Sequence, residues 1–483
     1  MVEILFFSLC HSKPCRNIPS QSTLVSNFLY RNSFFGAGRT LVRWSSTRTK
    51  LALVFYTKMN VQLSTEEYFQ VLPKGGVASA KGFKTGGVVA GLKSSGQLDL
   101  ALVLSTVEAS VAGVFTKSIV KAAPVLLCER FLKDTKGKAT CILINSGQAN
   151  AATGEEGLQD ALDMSDIVSS CLPEIPPTQV LVASTGVIGK RVDLARISKA
   201  VPSLVTKLGH SDEHNMEAAR AIMTTDLVPK YISVQWESNG RVATLGGMAK
   251  GSGMIHPDMG TMLSFLTTDI AIDSSLLHEI LQRVVNKSFN AITVDGDTST
   301  NDSVLIMANG LSRVPVEENS PELKIFEKAL MWCCEYLAKA IARDGEGATC
   351  LIQVEVSGTS TDEDAQRIAR KVSSSTLWKA AVYGRDPNWG RILAAAGSAG
   401  VDFDAKQVSL WLGEYRLVKN GLPLSFDKAT VRSYMQAAAE AKYLSGEDQV
   451  NVYLKVGDGF GYGKAWGCDL SYEYVRINAE YTT

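Results

Sequence analysis

The stretch MAKGSGMIHPDMGTMLSFLTTD, from Met248 to Asp269, contains a threonine that could act as a nucleophile. Glycines and Pro257 crowd the chain just before Thr261, and an apolar run follows it. A threonine hydroxyl needs a base, and a threonine at a chain terminus can use its own α-amine. The stretch is therefore compatible with cleavage before Thr261, where Gly260 leaves the preceding carbonyl unshielded. The alternative is a simple turn followed by a strand.

A nucleophile of this kind also requires donors for the charge that develops on a substrate carbonyl oxygen. Thr185 and Gly186, in VLVASTGVIG, follow an apolar run and open a glycine-containing turn. Backbone N–H groups at such a turn could form an oxyanion hole. Ordinary junctions between a strand and a turn have the same appearance, so the structural interpretation stays open.

Two other kinds of chemistry find fewer suitable residues in this chain. Only five histidines are present, which leaves little for a Ser-His-Asp arrangement. The segment VDGDTSTND offers Asp295, Asp297 and Asp302 as oxygen ligands for a hard metal ion, which would make the protein a metal-dependent hydrolase. The alternative is a turn in which these side chains cap backbone groups.

The elements that position these residues alternate between short apolar strands and amphipathic helices, which predicts a mixed α/β fold. Strands are predicted at 100–106, 141–147, 180–186, 241–247, 291–297 and 350–358. Helices are predicted at 274–288, 322–342 and 361–373, where apolar residues recur on one face. Glycine and proline are densest around Gly260, so any division of the chain is expected there.

Length and composition limit the class of protein further. A chain of 483 residues is expected to form two domains or two intimately packed halves. Its 45% hydrophobic and 20% charged residues are typical of a globular protein, and no apolar run is long enough to span a membrane. The nine cysteines contain no C-x-x-C pair and predict neither a zinc site nor a disulfide framework.

The first 58 residues differ from the rest of the chain in charge. They contain eight Lys or Arg and a single acidic residue, Glu3, and they are rich in Ser and Thr. This composition predicts an organelle transit peptide over residues 1–58. Without it, the 49 residues of each sign become 41 basic and 48 acidic, a net charge near −7. That balance argues against a nucleic-acid-binding role.

From about Gly75 to Thr483, the chain resembles the bifunctional glutamate N-acetyltransferase/ornithine acetyltransferase family of arginine biosynthesis, and the plant branch most closely. The resemblance depends on a series of sequence blocks in one order: GVASAKGFKTGG, AGVFTKSIVKAAPV, NSGQANAATG, ASTGVIG, AIMTTDLVPK, GGMAKGSGMIHPDMGTML, SFNAITVDGDTSTNDS, DGEGATC, YGRDPNWGRI, AWGCDLS and YVRINAEYTT.

The resemblance implies an N-terminal-nucleophile-like layered α/β sandwich that cuts itself between Gly260 and Thr261. The products would be an α chain of residues 59–260 and a β chain of residues 261–483, associated as a heterotetramer with two of each. Thr261 would be the catalytic nucleophile, and Thr185 and Gly186 would stabilise the oxyanion. Six positions match the family's substrate contacts: Thr224, Lys250, Thr261, Glu346, Asn478 and Thr483.

The implied reaction is a ping-pong transfer of an acetyl group from N-acetylornithine to glutamate through an acetyl-threonine. Acetyl-CoA is an alternative donor, since family members differ in accepting it, and no metal or prosthetic group is implied. The resemblance to plant members favours the chloroplast, with the mitochondrion as the alternative. Asp258 and Gly260 depart from the family's usual Asn and Ala, which bears on the rate of cleavage.

Overall fold

The computed structural model describes residues 68–72, 74–256 and 262–480. The predicted leader, Gly260, Thr261 and Thr483 lie outside the described residues, as do the predicted boundaries of the α and β chains.

Nine strands form the larger of two sheets. Eight of them run in the order β1-β6-β7-β8-β9-β3-β4-β5, and β2 pairs with β3. Their bounds are β1 Gln70–Val71, β2 Phe83–Val88, β3 Leu100–Phe115, β4 Lys138–Gln148, β5 Val180–Val187, β6 Lys230–Ser238, β7 Arg241–Lys250, β8 Leu263–Thr268 and β9 Ser303–Ala308. The central strands β8 and β9 are buried along their whole length because helices cover both faces of the sheet.

The smaller sheet has six strands in the order β13-β12-β11-β14-β10-β15. Their bounds are β10 Leu351–Thr359, β11 Ser409–Leu412, β12 Tyr415–Lys419, β13 Leu422–Pro423, β14 Gln449–Lys455 and β15 Gly461–Cys468. Strand β10 is parallel to β14 and antiparallel to β15.

Eleven α-helices lie within the described residues. Their bounds are α1 Ala123–Asp134, α2 Gly154–Cys171, α3 Leu194–Thr206, α4 Asp212–Ala221, α5 Ser274–Lys287, α6 Pro321–Arg343, α7 Asp362–Ser373, α8 Thr376–Tyr383, α9 Trp389–Gly397, α10 Lys428–Glu440 and α11 Tyr472–Glu480. Short 3-10 helices occur at Pro177–Gln179, Phe289–Ala291 and Ala405–Gln407. None of the described helices combines the length and apolar character that a membrane crossing requires.

The helices and sheets stack as layers with three apolar cores between them. Helices α1 to α4 pack on one face of the larger sheet, and α5 and α6 pack on the other. Helix α6 also contacts β10 and β15 of the smaller sheet, whose opposite face carries α7 and the remaining core. The predicted layered α/β class is confirmed.

Strands from both sides of Gly260 are interleaved in the larger sheet. β8 lies between β7 and β9, and β9 pairs in turn with β3. The register runs from Leu245 opposite Thr268 to Lys250 opposite Leu263. The two halves of the chain are therefore packed together through main-chain hydrogen bonds, as the length suggested.

Most of the predicted elements are confirmed, including the three helices. The strand prediction at 291–297 is wrong, because the apolar run there ends a 3-10 helix and continues into a turn. Thr293 N–H donates to the Trp466 carbonyl of β15 and Val294 N–H donates to the Ile255 carbonyl in the loop after β7, so the segment does not pair along a single strand. The apolar residues of this segment are buried although they form no strand. A short apolar run does not distinguish a strand from a buried loop.

Candidate active site

A small cavity lies where several strands of the larger sheet begin or end. It is lined by Thr185, Lys250, Met262, Leu263, Ser299, Asn301 and Asp302. β7 ends at Lys250, β8 begins at Leu263 and β9 begins at Ser303, so the sheet topology brings these side chains together. Two residues predicted from the sequence, Thr185 and Lys250, therefore meet Met262, the residue that follows Thr261.

Lys250 is the central cation of the cavity. It is 3% exposed, and its Nζ donates to Thr185 Oγ1 at 3.3 Å. Burial lowers the pKa of Lys250, although the charges of Asp226, Asp302 and Glu346 act in the opposite direction. A desolvated ammonium group is suited to bind an anionic ligand, because the attraction between charges is stronger away from water.

The backbone at Thr185 and Gly186 is held against the neighbouring strand β4. Gly186 has a φ of +132°, and a Cβ atom built there would lie 2.4 Å from the carbonyl carbon of Gly147. Only glycine fits this conformation and this contact. The turn predicted at the end of β5 is thus rigidly placed at the cavity.

Glu346 and Asn478 form the second predicted part of the site. Asn478, on α11, donates its side-chain amide to Glu346 Oε2 at 2.7 Å. Glu346 itself is 7% exposed and donates its N–H to the Ser252 carbonyl. A Cβ atom at Gly253 would lie 2.5 Å from the Glu346 carboxyl carbon, so the glycine allows the KGSG turn to lie against this side chain.

A buried ion network holds these parts in place. Lys230 Nζ donates to Asp226 Oδ1 at 2.7 Å and to Asp344 Oδ2 at 2.6 Å. Burial opposes the charge on Lys230, but the two carboxylates outweigh it and raise the pKa of Lys230. Burial likewise opposes ionisation of Asp226, but Lys230 and Lys250 lower the pKa of that carboxyl below its ordinary value. Asp226 is therefore ionised at neutral pH.

Asp226 and Asp344 also anchor the loops that carry the predicted substrate contacts. Asp226 accepts the N–H groups of Thr224 at 3.0 Å and of Gly251 at 2.7 Å, next to Lys250. The Asp344 carbonyl accepts from the Ser252 hydroxyl at 2.7 Å, two residues before Glu346. Thr224, Lys250 and Glu346 are thus positioned by one network, which sequence reasoning did not identify.

The residues of this network lie inside sequence blocks that were already singled out. Asp226 occurs in AIMTTDLVPK and Asp344 in DGEGATC, but nothing in either block shows that both carboxylates meet Lys230. Lys93 was also missed. Burial lowers the pKa of Lys93 to about 8, and its ammonium group interacts electrostatically with Asp226 and Lys250.

The proposed metal-binding role of the VDGDTSTND segment receives no support from the geometry. Asp295 accepts the N–H groups of Met254 at 2.5 Å and of Ile255 at 2.9 Å, and Asp302 accepts the N–H of Met262 at 2.6 Å. These are the backbone-capping contacts of the alternative interpretation. Across the described ranges, no three His, Cys, Asp or Glu side chains are grouped as metal ligands. The described cysteines form no disulfide bond.

The chain is similar to known proteins over most of its length. The ArgJ family model matches residues 84–483. The arginine biosynthesis bifunctional protein ArgJ of Thermosynechococcus vestitus is 54% identical over 415 residues, covering 85% of this chain and 98% of that protein. The chloroplastic ArgJ protein of Zea mays is 51% identical over 414 residues, covering 85% and 88%. The argJ crystal structure from Bacillus halodurans is 45% identical, covers 46% of this chain and 100% of that chain, and has a TM-score of 0.43.

The family match includes each part of the candidate site, from Thr185 to Asn478, together with Thr261 between them. The two relatives are 54% and 51% identical to this chain, and the matches cover 98% and 88% of their own lengths. The chain therefore belongs to the ArgJ family, whose relatives here are named as bifunctional proteins of arginine biosynthesis.

Proposed function

We propose that this enzyme of arginine biosynthesis cuts itself before Thr261 and then uses Thr261 to move an acetyl group from N-acetylornithine to glutamate. The observation that carries the proposal is the position of Met262. Met262 lines the small cavity together with Thr185 and Lys250, and the Cα of Thr261 is about 3.8 Å from that of Met262 by covalent geometry.

Cleavage begins when the Thr261 hydroxyl attacks the carbonyl carbon of Gly260. The Gly260–Thr261 amide bond breaks, an ester bond forms to the hydroxyl oxygen, and the amide nitrogen gains a proton to become a free amine. Water then hydrolyses the ester, which leaves a carboxylate on Gly260 and a free hydroxyl on Thr261. The new amine serves as the base for that hydroxyl.

The interleaved sheet explains why the two products stay together. β7 belongs to the proposed α chain and β8 to the β chain, and they remain paired along their length. Pairing of β9 with β3 joins the same two chains a second time. Each cut molecule is therefore an αβ unit, and two such units would form the proposed heterotetramer.

Acetyl transfer proceeds in two half-reactions. The Thr261 hydroxyl gives its proton to the α-amine and attacks the acetyl carbonyl of N-acetylornithine, and the ornithine amine leaves with a proton. The amine of glutamate then attacks the acetyl-threonine and releases N-acetylglutamate. In both steps Thr185 and Gly186 stabilise the oxyanion, a role that their fixed turn supports.

The opposite charges of Lys250 and Glu346 suit an amino-acid substrate. Lys250 binds a substrate carboxylate and Glu346 binds an ammonium group, with Asn478 bonded to Glu346. Thr224, on the Asp226 loop, and Thr483 are proposed as further substrate contacts. Acetyl-CoA is the proposed alternative donor, which would account for the word bifunctional in the relatives' names. The reaction requires no other cofactor.

The site of action is proposed to be the chloroplast. The plant relatives are named chloroplastic, and they match this chain over 85% of its length. Import of a version of the chain fused to a fluorescent protein tests the location, and mitochondrial fluorescence would favour the alternative compartment.

Denaturing electrophoresis of the purified protein, followed by N-terminal sequencing of each band, tests the proposed cleavage. We expect two bands, one of which begins TMLSF. One intact band in a fully active preparation would contradict the proposal and would favour an uncut protein that acts by another route.

Lys250 gives a prediction about pH. Burial lowers the pKa of Lys250. The side chain therefore loses its positive charge at a lower pH than an ordinary lysine, which titrates at about 10.4. KM for N-acetylornithine should therefore rise as the pH increases through this lowered pKa. In Lys250→Met we expect a KM at neutral pH that is roughly 10- to 100-fold higher, with cleavage retained.

Steady-state kinetics from neutral to alkaline pH measures this effect, and Lys250→Arg is the matched variant. Arginine stays charged throughout that range, so its KM should be nearly independent of pH. Loss of cleavage and of substrate binding to the same extent in Lys250→Met would assign Lys250 to processing instead.

A further inference from the structure

The segment of residues 293–302, immediately before β9, contacts the chain ahead of the proposed cleavage point. Its Asp295 carboxylate accepts the N–H groups of Met254 at 2.5 Å and of Ile255 at 2.9 Å. The Val294 N–H donates to the Ile255 carbonyl at 2.6 Å, so Ile255 is held through both of its main-chain groups. These contacts join the C-terminal part of the proposed α chain to the proposed β chain.

The far end of the same segment holds the chain after the cleavage point. Asp302 Oδ1 accepts the Met262 N–H at 2.6 Å, and the Ser303 N–H donates to the Met262 carbonyl at 3.2 Å. Asp302 and Met262 are both buried. Ile255 and Met262 are thus each fixed through both main-chain groups. A stretch of chain between two fixed points has fewer conformations than a free one, so a reaction within it has less conformational entropy to lose.

The backbone at Met254 indicates what the Asp295 contact is for. Met254 has a left-handed conformation with a φ of +54°. A residue with a Cβ atom adopts this conformation only at an energetic cost, because Cβ approaches the following carbonyl oxygen. The hydrogen bond from the Met254 N–H to Asp295 offsets that cost. The preceding residue, Gly253, is packed against Glu346, so the turn at Met254 sets the direction in which the chain leaves the KGSG segment.

We infer that Asp295 is a positioning residue for self-cleavage: it holds the left-handed turn at Met254 and, together with Asp302, fixes the two ends of the segment that is cut. The inference rests on the proposed function, since it concerns the rate of that cleavage. The carboxylate breaks no bond and transfers no proton. It reduces the conformational freedom that the chain must lose before the hydroxyl attacks.

Asp295→Asn in the full chain tests the inference. Asparagine keeps the size of the side chain but replaces one acceptor oxygen with a donor group, which cannot accept the second N–H. We expect the half-time of cutting to lengthen roughly 10- to 100-fold. Labelled chain from a short pulse of cell-free synthesis, sampled over time by denaturing electrophoresis, measures this half-time.

Two further measurements report on the turn itself. Hydrogen exchange followed by mass spectrometry should show protected amides at Met254 and Ile255 in the cut wild-type protein, because Asp295 still holds them there. Glycine adopts a left-handed conformation without strain. Met254→Gly combined with Asp295→Asn should therefore recover part of the cutting rate that Asp295→Asn alone loses.

The chain offers a control within the same segment. The Thr298 hydroxyl donates to the His256 carbonyl at 3.1 Å, but Thr298 is exposed, whereas Asp295 is half-buried. Water replaces an exposed hydrogen bond at little net cost. Thr298→Ala should therefore be cut with nearly the wild-type half-time.

Asp269, just after the other end of β8, is a matched carboxylate away from the cleavage point. It is 2% exposed, and its two oxygens accept backbone N–H groups from Lys81 and Thr244 at 2.9 Å. Asp269→Asn should lower the stability of the fold, as loss of a buried cap does, and leave the half-time of cutting unchanged.

Four results would overturn the role of Asp295. They are a wild-type half-time in Asp295→Asn, an equal delay in Asp269→Asn, a double variant cut no faster than Asp295→Asn, and unprotected amides at Met254 and Ile255 in the cut wild-type protein. In each case the wild-type chain is still cut before Thr261. Failure of the proposed function has a different sign, which is a wild-type chain that is never cut.

Discussion

Thr261→Ala leaves the purified chain in one piece and lowers acetyl exchange between ornithine and glutamate by at least about 10⁴-fold. The loss is large because one side chain supplies the nucleophile for both reactions. Without the hydroxyl the Gly260 carbonyl is not attacked, so the α-amine that would serve as base is never formed. Mass spectrometry of the intact protein measures the cleavage, and exchange of labelled acetyl groups measures the transfer.

Thr261→Ser tests the chemistry without removing it. Serine retains the hydroxyl, so part of the cleavage and part of the turnover should remain. Thr298→Ala removes an exposed hydroxyl that donates to the His256 carbonyl, and we expect it to be cut completely. Efficient cleavage of Thr261→Ala would show that another residue is the nucleophile.

Thr185→Val is expected to lower kcat roughly 100-fold with little change in KM. Valine has nearly the shape of threonine, but it removes the hydroxyl that accepts the 3.3 Å hydrogen bond from Lys250. The charge on the substrate oxygen develops only as the transition state forms, so the loss falls on kcat rather than on substrate binding.

Thr185→Ser should recover most of this loss because it restores the hydroxyl. Thr140→Val provides a control on the neighbouring strand β4, since its hydroxyl donates to Gln179 at 2.6 Å, outside the cavity. A kcat that is unchanged in Thr185→Val would confine any oxyanion contribution of this turn to the backbone N–H groups.

Much of the fold could be predicted from local pattern. The helix at Ser274–Lys287 shows why, because it repeats apolar residues on one face and Asp273 caps its first turn by accepting the Ser275 N–H at 2.8 Å. Both signals are local, so the sequence contains them in full. The segment at 291–297 has an equally apolar run, but its N–H groups pair with Trp466 and Ile255 far along the chain, and no local signal reports such partners.

The candidate site divides in the same way. Residue type and spacing singled out Thr185, because a glycine-containing turn after an apolar strand is visible in the sequence, whereas Lys250 and Glu346 were assigned through the resemblance to the family. The partnership of Lys230 with Asp226 and Asp344 was not visible, since Asp344 is more than a hundred residues away. That Asp302 Oδ2 has no hydrogen-bond partner among the described residues was not visible either, because burial and hydrogen bonding are properties of the folded chain.

The sequence by itself determined the mixed α/β class, the resemblance to a family and the threonine on which the chemistry is proposed to depend. Tertiary structure alone decided that β8 lies between β7 and β9, and that Thr185, Lys250 and Asp302 line one cavity. The physical reason is that propensity and periodicity act over a few residues, whereas the order of strands in a sheet is set by packing between segments far apart in the chain.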